Sequence, residues 1–393
     1  MSFTKKNKFI HIAKDEKFIN SAYWQFEQVV PGQNVFYILV DDLSPDKLKY
    51  LSLRENMILI KNDLVSMREF LESIKTFTHF IFHGLGYESS IIFNRLPEGS
   101  IRYWMLFGIE FYQNQYLYDN NNLFGGETNL LYKRSLSKFR SLKTLFKAKY
   151  YRINKKTKIP ELEIKEAIEN ADFLGIFYKE EFNFIKSRIK NEKLEHLKFS
   201  YYPIEKMLND AEAFVSGNNI LLGNSASYTN NHLEVLNLLS NLNISDKKVI
   251  CPLSYGDEYY AKTIIKEGRN KLKNSFEALN DFIPLHKYNS YLEQCGFVIM
   301  NHYRQQAVGN VMTMLWMGAK VFLDDRNTLY HYLKRINVNV FNIKHDLNQK
   351  ELSHLLNREQ RLHNRKILLD EIGQEILQKE FKIFLAQHFR DES

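Results

Sequence analysis

Between Asn219 and Leu323 the chain reads as successive strand, loop and helix units, and this repetition narrows the possible folds more than any other feature. Asn219-Ile220-Leu221-Leu222 is a short apolar run, Gly223-Asn224-Ser225-Ala226-Ser227 supplies a turn, and Asn230-Asn231-His232 opens a helical pattern through Leu233, Leu236, Leu239 and Leu242. The second unit has a strand at 297–300, a loop from Asn301 to Asn310, a helix from Val311 to Met317 closed by Gly318, and a strand at 320–323. Strands without polar alternation, joined by helices, indicate an α/β fold with a parallel sheet covered on both faces. Ligands of such sheets collect at the carboxyl ends of the strands, against helix N-termini whose free N–H groups and dipole favour phosphate. The region is therefore expected to hold a nucleotide diphosphate.

The two loops differ in weight. Gly223-Asn224-Ser225 is what any strand-to-helix turn prefers for backbone geometry and capping. The loop 301–310 is longer than the usual two to six residues, and it places His302, Arg304, Gln305, Gln306, Gly309 and Asn310 where a helix begins. An arginine there can bind an anion bidentately. Earlier in the chain, strands are expected at 8–12, 34–40, 57–60, 78–82, 101–107, 171–178 and 198–202, with helices at 15–28, 64–75 and 180–190. A charge-rich helical stretch follows from Glu351 to Phe389.

A length of 393 residues suits two domains, each able to bury its own core. No apolar run approaches the 18 residues needed to span a bilayer, and the short apolar segment after the basic N-terminus does not make a signal peptide. Cys251 and Cys295 show neither metal-type spacing nor a disulfide framework, which fits a cytoplasmic protein. The net charge of +8 is unevenly spread. Between Thr128 and Pro160 there is no acidic residue, but eleven basic ones from Lys133 to Lys158, with Leu136, Phe139, Leu142 and Phe146 at helical spacing. Such a basic amphipathic stretch suits an anionic membrane surface.

Several segments resemble glycosyltransferase family 56, whose activity is that of a TDP-N-acetylfucosamine:lipid II N-acetylfucosaminyltransferase in enterobacterial common antigen assembly. They are Ile220 to Ser225, Cys251-Pro252-Leu253-Ser254-Tyr255-Gly256, Arg304-Gln305-Gln306 with Gly309, Phe82-His83-Gly84, and Tyr103 to Glu110. In the last of these the family pattern is Trp-His-x-Trp-Gly-x-Asp, so Met105 stands for His and Glu110 for Asp. The resemblance implies a GT-B architecture, two Rossmann-like domains facing a cleft. The acceptor-side domain is placed at 1–202, an interdomain segment at 203–218, the nucleotide-sugar domain at 219–345, and C-terminal helices packing back on the first domain at 346–393.

The resemblance further implies a deoxy-amino-sugar donor of TDP type and a polyprenyl-diphosphate-linked acceptor. It places the enzyme at the inner face of the cell membrane, held there through 133–158. Glycosyl transfer needs a base near the acceptor hydroxyl and a cradle for the departing diphosphate. Glu110, after a strand and a glycine, is the candidate base. His83, at a strand end, assists, and His11 has the same logic with less support. Donor binding is assigned to Gly223, Asn224, Ser225, Arg304, Gln305, Gln306, Gly309 and Asn310, with Tyr255 and Tyr288 packing on the nucleobase. No metal or other cofactor is expected, because Asp324-Asp325 has no further ligands near it in sequence. Two other classes stay open, a GT-B-type nucleotide-sugar epimerase and a non-catalytic nucleic-acid-binding protein. The basic stretch argues against the first, and missing RNA-binding signatures argue against the second.

Overall fold

The computed structural model describes residues 8–135, 149–208, 210–281 and 283–388. They form two α/β units, one made of 8–119, 149–203 and 374–388, the other of 120–135 and 204–373. Of the basic stretch, Lys138, Arg140, Lys143 and Lys147 lie outside the described residues.

The first unit is built on seven strands, β1 (Phe9–Lys14), β2 (Asn34–Val40), β3 (Met57–Lys61), β4 (His79–His83), β5 (Ile101–Met105), β6 (Phe173–Gly175) and β7 (Glu195–Leu197). They run in the order β3-β2-β1-β4-β5-β6-β7, with every neighbouring pair parallel. The second unit has six, β8 (Ile220–Leu222), β9 (Val249–Pro252), β10 (Phe276–Leu279), β11 (Phe297–Met300), β12 (Lys320–Leu323) and β13 (Val340–Asn342), in the order β10-β9-β8-β11-β12-β13, again parallel throughout. Strands β1, β4, β8 and β11 are almost wholly buried, as expected of central parallel strands with helices on both faces. In each sheet the winding reverses between two central neighbours, β1 and β4 in one and β8 and β11 in the other. The crevice beyond their carboxyl ends is where such sheets bind ligands.

Three sequence expectations need correction. The last strand of the first sheet is 195–197, not 198–202, because Tyr201 is drawn instead into a part-buried hydrogen bond described below. Residues 204–218 pack as part of the second unit, where Val215 N–H bonds Met317 O at 2.8 Å and Trp316 Nε1 bonds Ala211 O at 2.8 Å. The C-terminal stretch is two helices broken at Gly373, and they belong to different units. The helix Arg358–Ile372 is fastened to the second unit through Asn364, whose Oδ1 accepts Asn339 N–H at 2.9 Å. Only the helix Gln374–His388 packs on the first, setting Phe381 edge-on to Phe26 at 4.8 Å between ring centroids.

Candidate active site

At the second unit's switch point, the turn after β8 requires its glycine. Gly223 sits at φ +67°, and a Cβ there would stand 2.4 Å from His232 Nε2 and 2.7 Å from Asn230 Oδ1. Gly223→Ala is expected to cost roughly 2–4 kcal/mol through backbone strain and overpacking. Urea denaturation checks this, and a wild-type midpoint would show that the turn can open without loss.

Around that turn lies a buried polar cluster. Asn230, Asn231, His232 and His302 are fully inaccessible, a placement tolerated only when such groups are hydrogen-bonded. Asn230 is the hub. Its Oδ1 accepts from Asn224 N–H at 3.0 Å and from His302 Nε2 at 2.9 Å, while its amide nitrogen donates to Ser225 O at 3.1 Å. Because Oδ1 only accepts, His302 carries its proton on Nε2 and leaves Nδ1 as a buried acceptor with no hydrogen-bond partner among the described residues. Burial, then the charge of Arg304, holds His302 well below the usual histidine value, and burial pushes His232 down to about 3. Asn231, in the left-handed region at φ 49°, ties the start of the loop 301–307 to the segment 123–125. Its amide nitrogen donates to Asn301 O at 2.9 Å and Leu123 O at 3.1 Å, and its Oδ1 accepts from Gly125 N–H at 2.8 Å.

The loop residues expected to bind the donor gather here. Asn224 Nδ2 donates to the Tyr255 hydroxyl at 3.1 Å, and Gln306 Oε1 accepts from Thr229 Oγ1 at 2.7 Å. Arg304 reaches Gln305 O through Nη1 at 2.9 Å. Gly309 and Asn310 lie in the first turn of the helix Val308–Trp316, which starts earlier than the sequence suggested, after Ala307 at φ 54°. Tyr255 is exposed, whereas burial and the nearby Tyr255 hydroxyl push Tyr288 far up. Asp324 is held bidentately by Arg326, with both bonds at 2.7 Å, and that guanidinium also stacks on Tyr303 at 3.2 Å. Among the described residues no group of three His, Cys, Asp or Glu side chains is placed to hold a metal.

The first unit's switch point holds a chain of four side chains, His11 from β1, His83 from β4, Asn34 and Tyr201. Asn34 Nδ2 donates to Val30 O at 2.9 Å, an atom that can only accept, so Asn34 Oδ1 faces His11. The rest follows from that one amide. His11 Nε2 donates to Asn34 Oδ1 at 3.2 Å, His83 Nε2 donates to His11 Nδ1 at 3.0 Å, and Tyr201 donates to His83 Nδ1 at 3.0 Å. Burial lowers both imidazoles, His83 to about 3, so the chain is neutral and both ring nitrogens of His83 are engaged.

Glu110 stands beside it, following Gly108 at φ +95°. Its Oε1 accepts from Trp104 Nε1 at 2.8 Å and Phe107 N–H at 2.9 Å, while buried Oε2 has no partner among the described residues. Burial raises its carboxyl above the ordinary range, against the pull of the Phe107 and Trp104 N–H groups. Glu110 and His83 share a cavity of ≈ 140 Å³ with Lys14, Gly84, Ser89 and Phe107. Asn34, Trp104 and Tyr201 escaped the sequence reading. Only Trp104, in the same short motif as Glu110, left a signal there.

Residues 177–373, or 197 of the chain's 393, match the family described as 4-alpha-L-fucosyltransferase glycosyl transferase group 56. The chain belongs to that family. Solved structures share its fold over nearly its whole length. Sucrose-phosphate synthase from Thermosynechococcus elongatus superposes with a TM-score of 0.62 at 9% identity, covering 97% of this chain and 99% of that one. Anabaena HepE in complex with UDP-glucose gives 0.59 at 9%, over 96% and 99%. A glycosyltransferase from Rickettsia africae gives 0.57 at 10%, over 99% and 100%. At these identities the likeness speaks for the fold alone, which is GT-B. Membership of group 56 makes the chain a glycosyltransferase, and no described helix is long and apolar enough to cross a membrane.

Proposed function

We propose that this group 56 enzyme moves an N-acetylfucosamine-like deoxy-amino sugar from a TDP donor to a polyprenyl-diphosphate-linked glycan during bacterial surface polysaccharide synthesis, working at the cytoplasmic face of the membrane. The observation that carries the donor half is the polar cluster at the β8/β11 switch point, where Asn224, Arg304 and Gln306 surround the start of the helix Val308–Trp316. A helix N-terminus with an arginine beside it is chemically matched to a diphosphate. HepE, of the same fold, was solved with UDP-glucose and with UDP, which supports a nucleotide-sugar donor.

In this reading Glu110 Oε2 takes the proton of the acceptor hydroxyl as its oxygen attacks the anomeric carbon. The bond from that carbon to the diphosphate breaks, and the electron pair leaves with the diphosphate, whose charge Arg304 and the helix terminus receive. No metal is assigned a part. His83, with both nitrogens bonded, lines the cavity and supports the acceptor rather than moving a proton.

Incubation with TDP- and UDP-sugars side by side and a polyprenyl-diphosphate glycan, followed by mass spectrometry of the lipid, tests the proposal. Addition of one deoxy-amino sugar from the TDP donor is the expected result, and epimerised donor with unchanged lipid would overturn it. TDP should also raise the thermal midpoint, as any ligand selective for the folded state does. Arg304→Ala should weaken TDP binding by about 1.5–3 kcal/mol, the range for a charge-assisted bond. Unchanged affinity would remove Arg304 from the site.

A further inference from the structure

On the first unit, sharing no lining residue with the Glu110 cavity, an open cleft of ≈ 540 Å³ is lined by Arg95, Arg152, Lys156 and Lys158 against Glu163 and Glu166. The two carboxylates are already committed. Glu163 accepts from Asn94 Nδ2 and from Lys158 N–H, both at 2.9 Å, with Arg95 at 3.8 Å, and Glu166 pairs with Lys158 Nζ at 2.5 Å. Arg152 and Lys156 make no ion pair among the described residues, so the cleft keeps uncompensated positive charge. Its backbone is unusual too. Tyr151–Lys155 form a wide π-type turn, and Lys156 closes it at φ 51°, a left-handed conformation that a lysine adopts only under local constraint. The turn is pinned from below, because Thr157 Oγ1 bonds the Tyr87 hydroxyl at 2.6 Å and Tyr151 packs edge-on against the Tyr87 ring.

On either side of Arg152 in sequence, Tyr150 and Ile153 stand 49% and 59% exposed. A soluble anion has no use for an exposed tyrosine and isoleucine flanking Arg152 in the chain. A bilayer interface does, since apolar side chains enter the boundary while lysines and arginines meet the phosphates. The cleft also continues in sequence the one-signed run that starts at Lys133.

We infer that this cleft is a lipid headgroup site, taking the phosphodiester of an anionic phospholipid on Arg152 and Lys156 while Tyr150 and Ile153 enter the interface. The inference rests on the membrane setting of the proposed function but not on its chemistry, so it is tested by binding alone. The full-length protein should sediment with phosphatidylglycerol vesicles and not with pure phosphatidylcholine vesicles. The pair Arg152→Gln and Lys156→Gln should weaken that binding about thirtyfold, from the ordinary contribution of two basic residues at an anionic surface. Tyr150→Ser with Ile153→Ser should weaken it about tenfold and leave its salt dependence unchanged. Arg152→Lys, which keeps the charge, should bind as wild type and guards against a folding defect.

Wild-type vesicle binding by the double glutamine variant would overturn the site, including the case in which Lys138, Arg140, Lys143 and Lys147 changed to Glu does release the protein. Equal binding to both vesicle types would overturn it as well. So would inorganic phosphate or a short RNA that binds the cleft as tightly as the vesicles do. Vesicle binding that persists in an enzyme unable to glycosylate a lipid-linked acceptor would sink the proposed function and leave this site standing.

Discussion

Glu110→Gln is expected to lower sugar transfer by on the order of a hundredfold or more, the usual worth of a positioned base, and to leave TDP binding unchanged. The substitution keeps the shape of the side chain and an oxygen for the Trp104 and Phe107 N–H groups, and it removes only the charge at the unpartnered Oε2. Its effect on stability should have the opposite sign. The folded carboxyl is raised, so the stability that Glu110 contributes is complete below its unfolded value near 4.5 and is lost as pH rises through the folded one. At neutral pH the glutamine variant is therefore expected to melt no lower than wild type, and higher if burial dominates. The raised value also moves the acidic limb of wild-type turnover above the ordinary carboxylate range. Full turnover by the variant, or a limb at the ordinary range, would take Glu110 out of the chemistry.

Mild acid should unfold both units. His11, His79 and His83 in the first, and His232 and His302 in the second, are buried and neutral, with His83 and His232 lowered to about 3 and His79 to about 4. For a group lowered on folding, the stability it contributes is present above the unfolded value near 6.5 and is lost as pH falls towards the folded one. Three such groups in the first unit and two in the second give losses of roughly 4 and 3 kcal/mol per pH unit below about 6.5. Urea midpoints at a series of pH values measure the slope, and a flat profile between pH 6.5 and 5 would show that these imidazoles gain protons without unfolding. His83→Phe should flatten the slope of the first unit while leaving that of the second.

What the sequence disclosed and what it hid have separate physical grounds. Strands β8, β11 and β12 were readable because a strand buried on both faces has no polar alternation to confuse with a surface, and their loops follow from the winding. Edge strands are quieter. Strand β10 is Phe276-Glu277-Ala278-Leu279 and β13 only Val340-Phe341-Asn342, too short and too polar to stand out. The hydrogen-bond chain was hidden for a different reason. His83 meets a tyrosine 118 residues away, and His11 an asparagine 23 away, separations set by the sheet order rather than by any local pattern. Glu110 could be picked out through its motif, but its orphaned oxygen depends on where Trp104 and Phe107 point. The segment 120–135 carries no mark that Thr128 will bond Glu234.

That last contact belongs to a chain that enters the second unit at 120, is back in the first by 149, leaves again at 204 and returns at 374. The order of synthesis on the ribosome then does not match the order of completion. Phe9 and Phe26 emerge long before the core they begin is finished, because that core also needs Phe381 and Leu385. The helix 126–135 likewise waits for Glu234 to exist before it can dock. A nascent chain halted anywhere before 374 therefore holds a first unit with an open apolar flank. Translation must pass residue 373 before the second unit has all its parts, and must go further still before the first unit does.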